Sequence, residues 1–328
     1  MQVSLIICTY NRCEDLRLTL QQLSQSGLPE NFLWELLVMD NNSADDTKSV
    51  CSSFADKLPL RYIFEPRQGK SFALNRAVAE ARAPLLLLTD DDVSVTPDWI
   101  ARLTDAAWRH PECVYFGGRV LSQWQGQPPR WFVENHQWLK VNPQIDFGPT
   151  EKEVAEVKHM CFLGANFAIR KSVFSPEFRY SEEFGPSGSF FGRRSRHGGE
   201  ETELQFRMGD RQIKGLYVPD AVVYHRDPLY RMTEKYLRWY HQARGRENIL
   251  NGDYILTPGH LFGAPRYLWR TFLSSSFQYL LTRWTRPPRV WLQAEIVAAA
   301  AWGEIMELRA RGVYRKNSDS PQASGSKK

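Results

Sequence analysis

The chain has 328 residues, a formal net charge of +5, 42% hydrophobic residues and 24% charged ones. That size and balance fit one large α/β domain with an appended C-terminal segment, and they exclude a disordered or fibrous chain. The mild basic excess gathers after about residue 189 and suits phosphates or an anionic surface; no nucleic-acid motif accompanies it, so nucleic acid is not an expected partner.

Val3–Thr9 is β-rich and short enough for a buried strand. No signal peptide is read at this end, because the strand pattern begins at once. Glu14–Gln25 then sets Leu16, Leu20 and Leu23 on one helical face. A second strand is expected over Glu35–Met39, a helix over Asp45–Phe54 and a third strand over Leu60–Phe64. An alanine-rich helix follows over Ser71–Arg82 and stops at Pro84, before a fourth, leucine-rich strand, Leu85–Thr89. Pro97 opens a helix running to His110. Strands alternating with helices predict a mostly parallel sheet covered on both faces. Ligands then sit beyond the carboxyl ends of the strands. Polar groups stand at three of those ends: Thr9-Tyr10-Asn11-Arg12, Asp40-Asn41-Asn42 and Asp90-Asp91-Asp92.

From Cys113 the pattern changes. Strand-like pieces (Val114–Gly117, Phe162–Ile169, Leu216–Val218, Ala221–Tyr224) alternate with glycine- and proline-rich loops. Phe184–Gly199 reads as a long, basic, mobile loop near a site. Helices are expected over Met232–Leu250, Arg266–Arg283 and Arg289–Arg309, and a disordered tail from residue 315. No apolar run reaches the roughly 18 residues of a membrane span. Five scattered cysteines (Cys8, Cys13, Cys51, Cys113, Cys161) without C-x-x-C spacing fit a reducing, cytoplasmic setting, not a disulfide framework or zinc site.

Asp90-Asp91-Asp92 is the strongest chemical signal. Adjacent carboxylates after a buried strand repel one another unless a cation or hydrogen bonds compensate. On extended chain Asp90 and Asp92 point the same way, and Mg2+ or Mn2+ suits such oxygens and bridges to a diphosphate. The plain alternative is a solvated acidic turn. Asp40 can accept from a base or a ribose, or can cap an Asx-turn. Gly199-Glu200-Glu201-Thr202-Glu203-Leu204 opens a helix, where acids are favoured in any case; a carboxylate facing the metal can also act as general base. His225 after a short strand is a candidate third ligand. Arg67-Gln68-Gly69-Lys70 before a helix can meet a phosphate, or be only a basic turn.

Together these pieces resemble glycosyltransferase family 2, which has the GT-A (Rossmann-like) fold, over roughly residues 1–250. Val3–Arg12 is similar to the family's opening strand, and the resemblance puts Thr9, Tyr10 and Asn11 at the nucleotide. Asp40 matches a base-contacting Asp. Gly69, Lys70 and Asn75 match the helix before the metal motif and count with the nucleotide-sugar site. Asp90-Asp91-Asp92 looks like the D-x-D motif, implying donor contacts for Asp90 and Asp91 and metal ligation for Asp92, with His225 as further ligand. Gly164 and Asn166 resemble an acceptor-side G-x-N segment. Gly199–Leu204 resembles G-E-D-x-E-L, which makes Glu201 the catalytic base, with Glu standing where the family has Asp, and Glu200 the fallback.

The resemblance implies an inverting transfer from a nucleoside-diphosphate sugar, with Mn2+ or Mg2+, to a glycan or lipid-linked hydroxyl in cell-surface polysaccharide or glycolipid synthesis. It implies a catalytic domain over 1–255 (nucleotide half 1–112, acceptor half 113–255), a helical segment over 256–314 and a tail over 315–328. The rivals are a sugar-phosphate nucleotidyltransferase, which needs a glycine-rich loop that Thr9–Glu14 lacks, and a non-catalytic nucleotide-sugar binder. In the last segment Tyr267, Phe277, Trp284 and other aromatics mingle with Arg266, Arg270, Arg283, Arg286 and Arg289, a composition that suits peripheral contact with the inner face of an anionic membrane.

Overall fold

The computed structural model describes residues 2–139, 141–142, 144–156, 160–182, 199–250 and 259–312. The expected loop Phe184–Gly199, except Gly199 itself, and the tail from residue 315 lie outside the described residues. The first half follows the expected alternation: β1 (Val3–Thr9), α1 (Cys13–Leu23), β2 (Trp34–Asp40), α2 (Thr47–Ser52), β3 (Leu60–Phe64), α3 (Lys70–Glu80), β4 (Leu85–Asp90), β5 (Val93–Val95) and α4 (Trp99–Arg109). Then come β6 (Tyr115–Gln125), α5 (Arg130–Val133), α6 (His136–Leu139), β7 (Lys152–Glu153), β8 (Phe167–Arg170), α7 (Glu200–Asp210) and β9 (Gly215–Pro228). A small hairpin and three long helices follow: α8 (Glu234–Leu250), β10 (His260–Leu261), β11 (Ala264–Pro265), α9 (Arg266–Thr282) and α10 (Pro288–Arg311).

β1 is buried throughout except for Cys8, and its alternation divides two cores. Leu5 and Ile7 pack with Leu16, Leu20 and Leu23 of α1, while Ile6 packs on the other face with Ala73, Leu74 and Ala77 of α3. This is the period-two pattern of a strand covered on both sides, and each fully buried aliphatic side chain stabilises by about 1.5–3 kcal/mol. β1 runs parallel to β2 and β4, and β2 parallel to β3. The register sets Thr9 opposite Asp40 and Cys8 opposite Asp90. Three polar strand ends are therefore level at one edge.

The sheet continues in the order β3-β2-β1-β4-β8-β6-β9-β5, with β7 on β9. This second half joins antiparallel: β8 to β4, β6 to β8, and β5 and β7 to β9. Three expectations change here. The pieces Leu216–Val218 and Ala221–Tyr224 are one strand, β9. Residues pairing with β7 lie before Pro219 and those pairing with β5 after it, so the missing N–H of Pro219 interrupts neither ladder. The strand expected from Phe162 begins only at Phe167, because Gly164–Asn166 is a 3-10 turn. The strand from Tyr115 runs on to Gln125 through residues whose polarity hid it.

The chain separates into two compact units, Met1–Gln125 with Asn142–Asp227, and Gly126–Val141 with Pro228–Lys328. In the second, Ile249, Ala264, Leu268, Ile305 and Leu308 form a small core with Trp269, Phe272 and Trp302 against it. Among the described residues no helix is long and apolar enough to cross a membrane.

Candidate active site

β4 delivers Asp90 to the edge of the sheet, and the chain turns through Asp91 and Asp92 before β5. Asp91 and Asp92 are buried. The turn meets its charge with donors from the end of β1: Thr9 Oγ1 donates to Asp91 Oδ2 at 2.8 Å, and Arg12 Nη1 reaches Asp91 Oδ1 at 3.1 Å and Asp92 Oδ2 at 3.0 Å. Burial still pushes the Asp91 carboxyl up to about 6, against the pull of Arg12 and with the added repulsion of Asp92. His225 arrives on β9, opposite Val93. Its Nε2 lies 3.2 Å from Asp92 Oδ1, and its Nδ1 lies 3.1 Å from Oδ1 of the fully buried Asp227. One ligand atom from each of Asp90, Asp92 and His225 lies within 4.8 Å of the others. Two carboxylate oxygens and an imidazole nitrogen, with a carboxylate behind the imidazole, fit Mn2+ or Mg2+ of a D-x-D type site.

Lys70 joins this cluster to a second one. Asn41 builds its platform: its Nδ2 donates to the carbonyls of Glu65 (3.3 Å) and Arg67 (2.6 Å), and its Oδ1 accepts from Gly69 N (2.8 Å). α3 then starts at Lys70. Lys70 Nζ lies 3.0 Å from Asp90 Oδ1, 2.9 Å from Glu201 Oε1 and 3.3 Å from Glu200 Oε1. Burial alone would lower the lysine, but Asp90, Glu201 and Glu200 together hold it well above its ordinary value. Glu200 and Glu201 are buried in the first turn of α7, where the helix N-terminus favours acids. A Cβ on Gly164 would collide with the Glu201 carboxylate, so glycine leaves the space in which that carboxylate sits. Burial, then the charge of Glu201, raises Glu200 to about 8, against Lys70.

The other expected residues divide. Tyr10 is half-buried beside this edge. Asn11, at φ 50, ties the loop after β1 to the loop after β2: its N–H donates to Ser43 Oγ (2.9 Å) and its Oδ1 accepts from Ala44 N (2.8 Å). Asp40 accepts from Ser43 N at 2.9 Å, the Asx-turn alternative, and from the Tyr62 hydroxyl at 2.6 Å. Asn75 spends its amide on the backbone of Tyr180, giving 2.9 Å to Tyr180 O and taking 3.0 Å from Tyr180 N. Asn166 is fully buried; it donates to Arg119 O (2.9 Å) and Ala221 O (2.8 Å) and accepts from Trp99 Nε1 (2.8 Å). The side chains of Asn75 and Asn166 thus brace backbone, and their hydrogen-bonding groups are met by protein. Arg12, Asn41, Arg226 and Asp227 carry much of the geometry without having been singled out for it. Arg12, Asn41 and Arg226 each stand beside a named candidate (Asn11, Asp40 and His225), the one signal in the sequence; Asp227 has no such neighbour.

The family model described as "Glycosyl transferase family 2" matches residues 4–177. Glucosyl-dolichyl phosphate glucuronosyltransferase of Haloferax volcanii is 26% identical over 192 residues, covering 57% of this chain and 58% of that protein. Succinoglycan biosynthesis protein ExoM of Rhizobium meliloti is 24% identical over 266 residues, covering 79% and 77%. The match spans 58% and 48% of the first two curated relatives, about half of their length. The mannosyltransferase PcManGT from Pyrobaculum calidifontis, solved with GDP-Man and Mn2+, superposes with a TM-score of 0.54 at 17% identity over 97% of this chain and 76% of that one. S. aureus TarS 1-349 in complex with UDP superposes with a TM-score of 0.54 at 14% identity over 98% and 93%. Both superpositions show the same GT-A fold.

Proposed function

The chain belongs to glycosyltransferase family 2, and from that premise we propose that it moves a sugar from a nucleoside-diphosphate donor to an acceptor hydroxyl by inverting displacement. The observation that carries the reading is the pair of clusters joined by Lys70: Asp90, Asp92 and His225 on one side, Glu200 and Glu201 on the other. A divalent cation held by Asp90, Asp92 and His225 would neutralise charge on the departing diphosphate. Lys70 adds a second positive charge at the same edge. Thr9, Tyr10, Asn11 and Asp40, level at the strand ends, line the nucleotide side of residues 1–112. Residues 113–255 supply the acceptor side, where Gly164 leaves room for Glu201. Glu201 takes the acceptor's hydroxyl proton as that oxygen bonds to the anomeric carbon, and the bond to the diphosphate breaks with its electron pair. Holding both substrates in line supplies much of the remaining acceleration.

The nucleotides named with the superposed structures, the sugar donor GDP-Man and the nucleoside diphosphate UDP, support a nucleoside-diphosphate sugar. The relatives named for a dolichyl phosphate and for succinoglycan support a lipid-linked or glycan acceptor, in cell-surface polysaccharide or glycolipid synthesis. A thermal-shift panel of nucleotide sugars with Mn2+ tests the reading. A true donor at a hundredfold excess over its Kd stabilises the fold by about 2.7 kcal/mol. A panel that gives no metal-dependent shift would count against it.

Helix α9 supports a place of action at the inner face of the plasma membrane. α9 turns Phe272 and Tyr279 toward Trp302 and Trp291 of α10. Its opposite face exposes Leu273, Phe277, Leu280 and Leu281, and Trp284 just beyond it is 85% exposed. Arg266, Arg270, Arg286 and Arg289 are exposed around this row, and residues 266–289 contain no acid. An apolar row rimmed by arginines fits anionic lipid. The full chain is expected to co-sediment with phosphatidylglycerol vesicles, and the triple variant Leu273→Ser, Phe277→Ser, Leu280→Ser to stay in the supernatant. Equal sedimentation of both would refute the contact.

A further inference from the structure

The acidic turn has a second side, away from the carboxylates, and one buried residue occupies it. Arg226 takes three consecutive carbonyls of the turn. Its backbone N–H donates to Asp92 O at 2.9 Å, its Nη2 to Asp91 O at 3.0 Å, and its Nη1 to Val93 O. The same Nη2 lies 2.8 Å from Asp15 O and 2.8 Å from Thr19 Oγ1, both on α1, and Nη1 lies 3.5 Å from Ser94 Oγ. Thr19 Oγ1 in turn lies 2.7 Å from Asp91 O and 3.0 Å from Val93 O. Arg226 is 6% exposed, so it is not placed to meet a substrate.

We propose that Arg226 is a positioning residue for the metal centre, clamping the carbonyl side of the Asp91–Val93 turn so that the Asp92 carboxylate faces His225. The inference rests on the metal reading above. The backbone bond from Arg226 to Asp92 locks the register of β9 against the turn, and His225 is the neighbouring residue on that strand. The guanidinium then fixes the turn from both ends while anchoring it to α1. Without such a clamp three adjacent carboxylates would relax apart, since repulsion between like charges favours the open turn. A planar fork of five donors can reach carbonyls on the turn and on α1 together; the compact ammonium of lysine cannot. The charge is also turned toward carbonyl dipoles rather than a carboxylate partner, so it braces the turn without competing for the ligand oxygens.

The test is Mn2+ binding by the full chain, read from the free-ion EPR signal with UDP present and again with GDP present. Arg226→Lys keeps the charge and loses the fork. It is expected to bind Mn2+ about tenfold more weakly, the scale on which groups that orient metal ligands act. Its acceptor KM is expected to stay at the wild-type value, because a general loss of structure would move both. Thr19→Val removes the hydroxyl shared with the guanidinium and is expected to weaken Mn2+ in the same direction by less. Should Arg226→Lys fail to fold, Thr19→Val decides alone. Wild-type Mn2+ affinity in a folded Arg226→Lys chain, or in Thr19→Val where it decides, overturns the proposal. A wild-type chain that itself binds no Mn2+ with either nucleotide strikes the metal reading instead.

Discussion

Asp92→Ala is expected to lower metal-dependent sugar transfer by about 10^2–10^3-fold or more, the cost of removing one preorganised charge-stabilising group, without unfolding the chain. Asp92 lies 3.2 Å from His225 within the cluster that would hold the cation, so its loss removes a ligand and the group facing the imidazole. Stability responds the other way. Asp91 and Asp92 are both buried, and burial with mutual repulsion already holds Asp91 up at about 6. Removing one carboxylate relieves that crowding. Arg12 loses its Asp92 contact but keeps Asp91 at 3.1 Å, so its charge is not left without a carboxylate. His225 keeps Asp227 at 3.1 Å. The melting temperature without metal should therefore stay near wild type, while the gain on adding Mn2+ disappears. Transfer assays across a Mn2+ titration, with circular dichroism on the same samples, read both parts. Wild-type turnover in this variant would remove Asp92 from the site.

The legible part of this molecule is the part governed by short periods. Leu16, Leu20 and Leu23 announce the buried face of α1, and the apolar run of β1 announces a strand covered on both sides. Once β1, β2 and β4 are parallel, polar residues after each must meet at one edge, and the register places Thr9, Asp40 and Asp90 there. What could not be read is which polar groups the fold itself consumes. Asn41, Asn75 and Asn166 offer the same donors and acceptors to a nucleotide as to a peptide carbonyl, and only tertiary structure decides between them. Arg226 was unreadable for the same reason: the carbonyls it holds at Asp15 and Asp91 are more than 130 positions away in the chain. The meeting of Glu201 with Lys70 crosses a similar span and depends on where β8 and α7 sit.

Glu201→Gln should lower transfer by about 10^2–10^4-fold, the usual contribution of a positioned general base, whereas Glu200→Gln should leave most of it. The two carboxylates are neighbours on one helix turn and share Lys70, so position alone does not separate them. Their environments do. Glu200 is 1% exposed, and burial with the charge of Glu201 raises it to about 8, so near pH 7 it is largely protonated and too weak a base to take a hydroxyl proton. Glu201 is 8% exposed, lies 2.9 Å from Lys70 and occupies the space that Gly164 leaves. Two readouts check the division. Donor binding should survive in Glu201→Gln, because the metal cluster is untouched and glutamine keeps the shape of the side chain. Stability should distinguish Glu200→Gln: a raised carboxyl adds stability below its ordinary value of 4.5 and loses it as pH climbs through about 8. Glutamine has no such loss, so the variant should match wild type in acid and exceed it near pH 9. If Glu200→Gln abolished transfer and Glu201→Gln did not, the base would be Glu200, and the buried carboxyl would have to titrate within the reaction cycle.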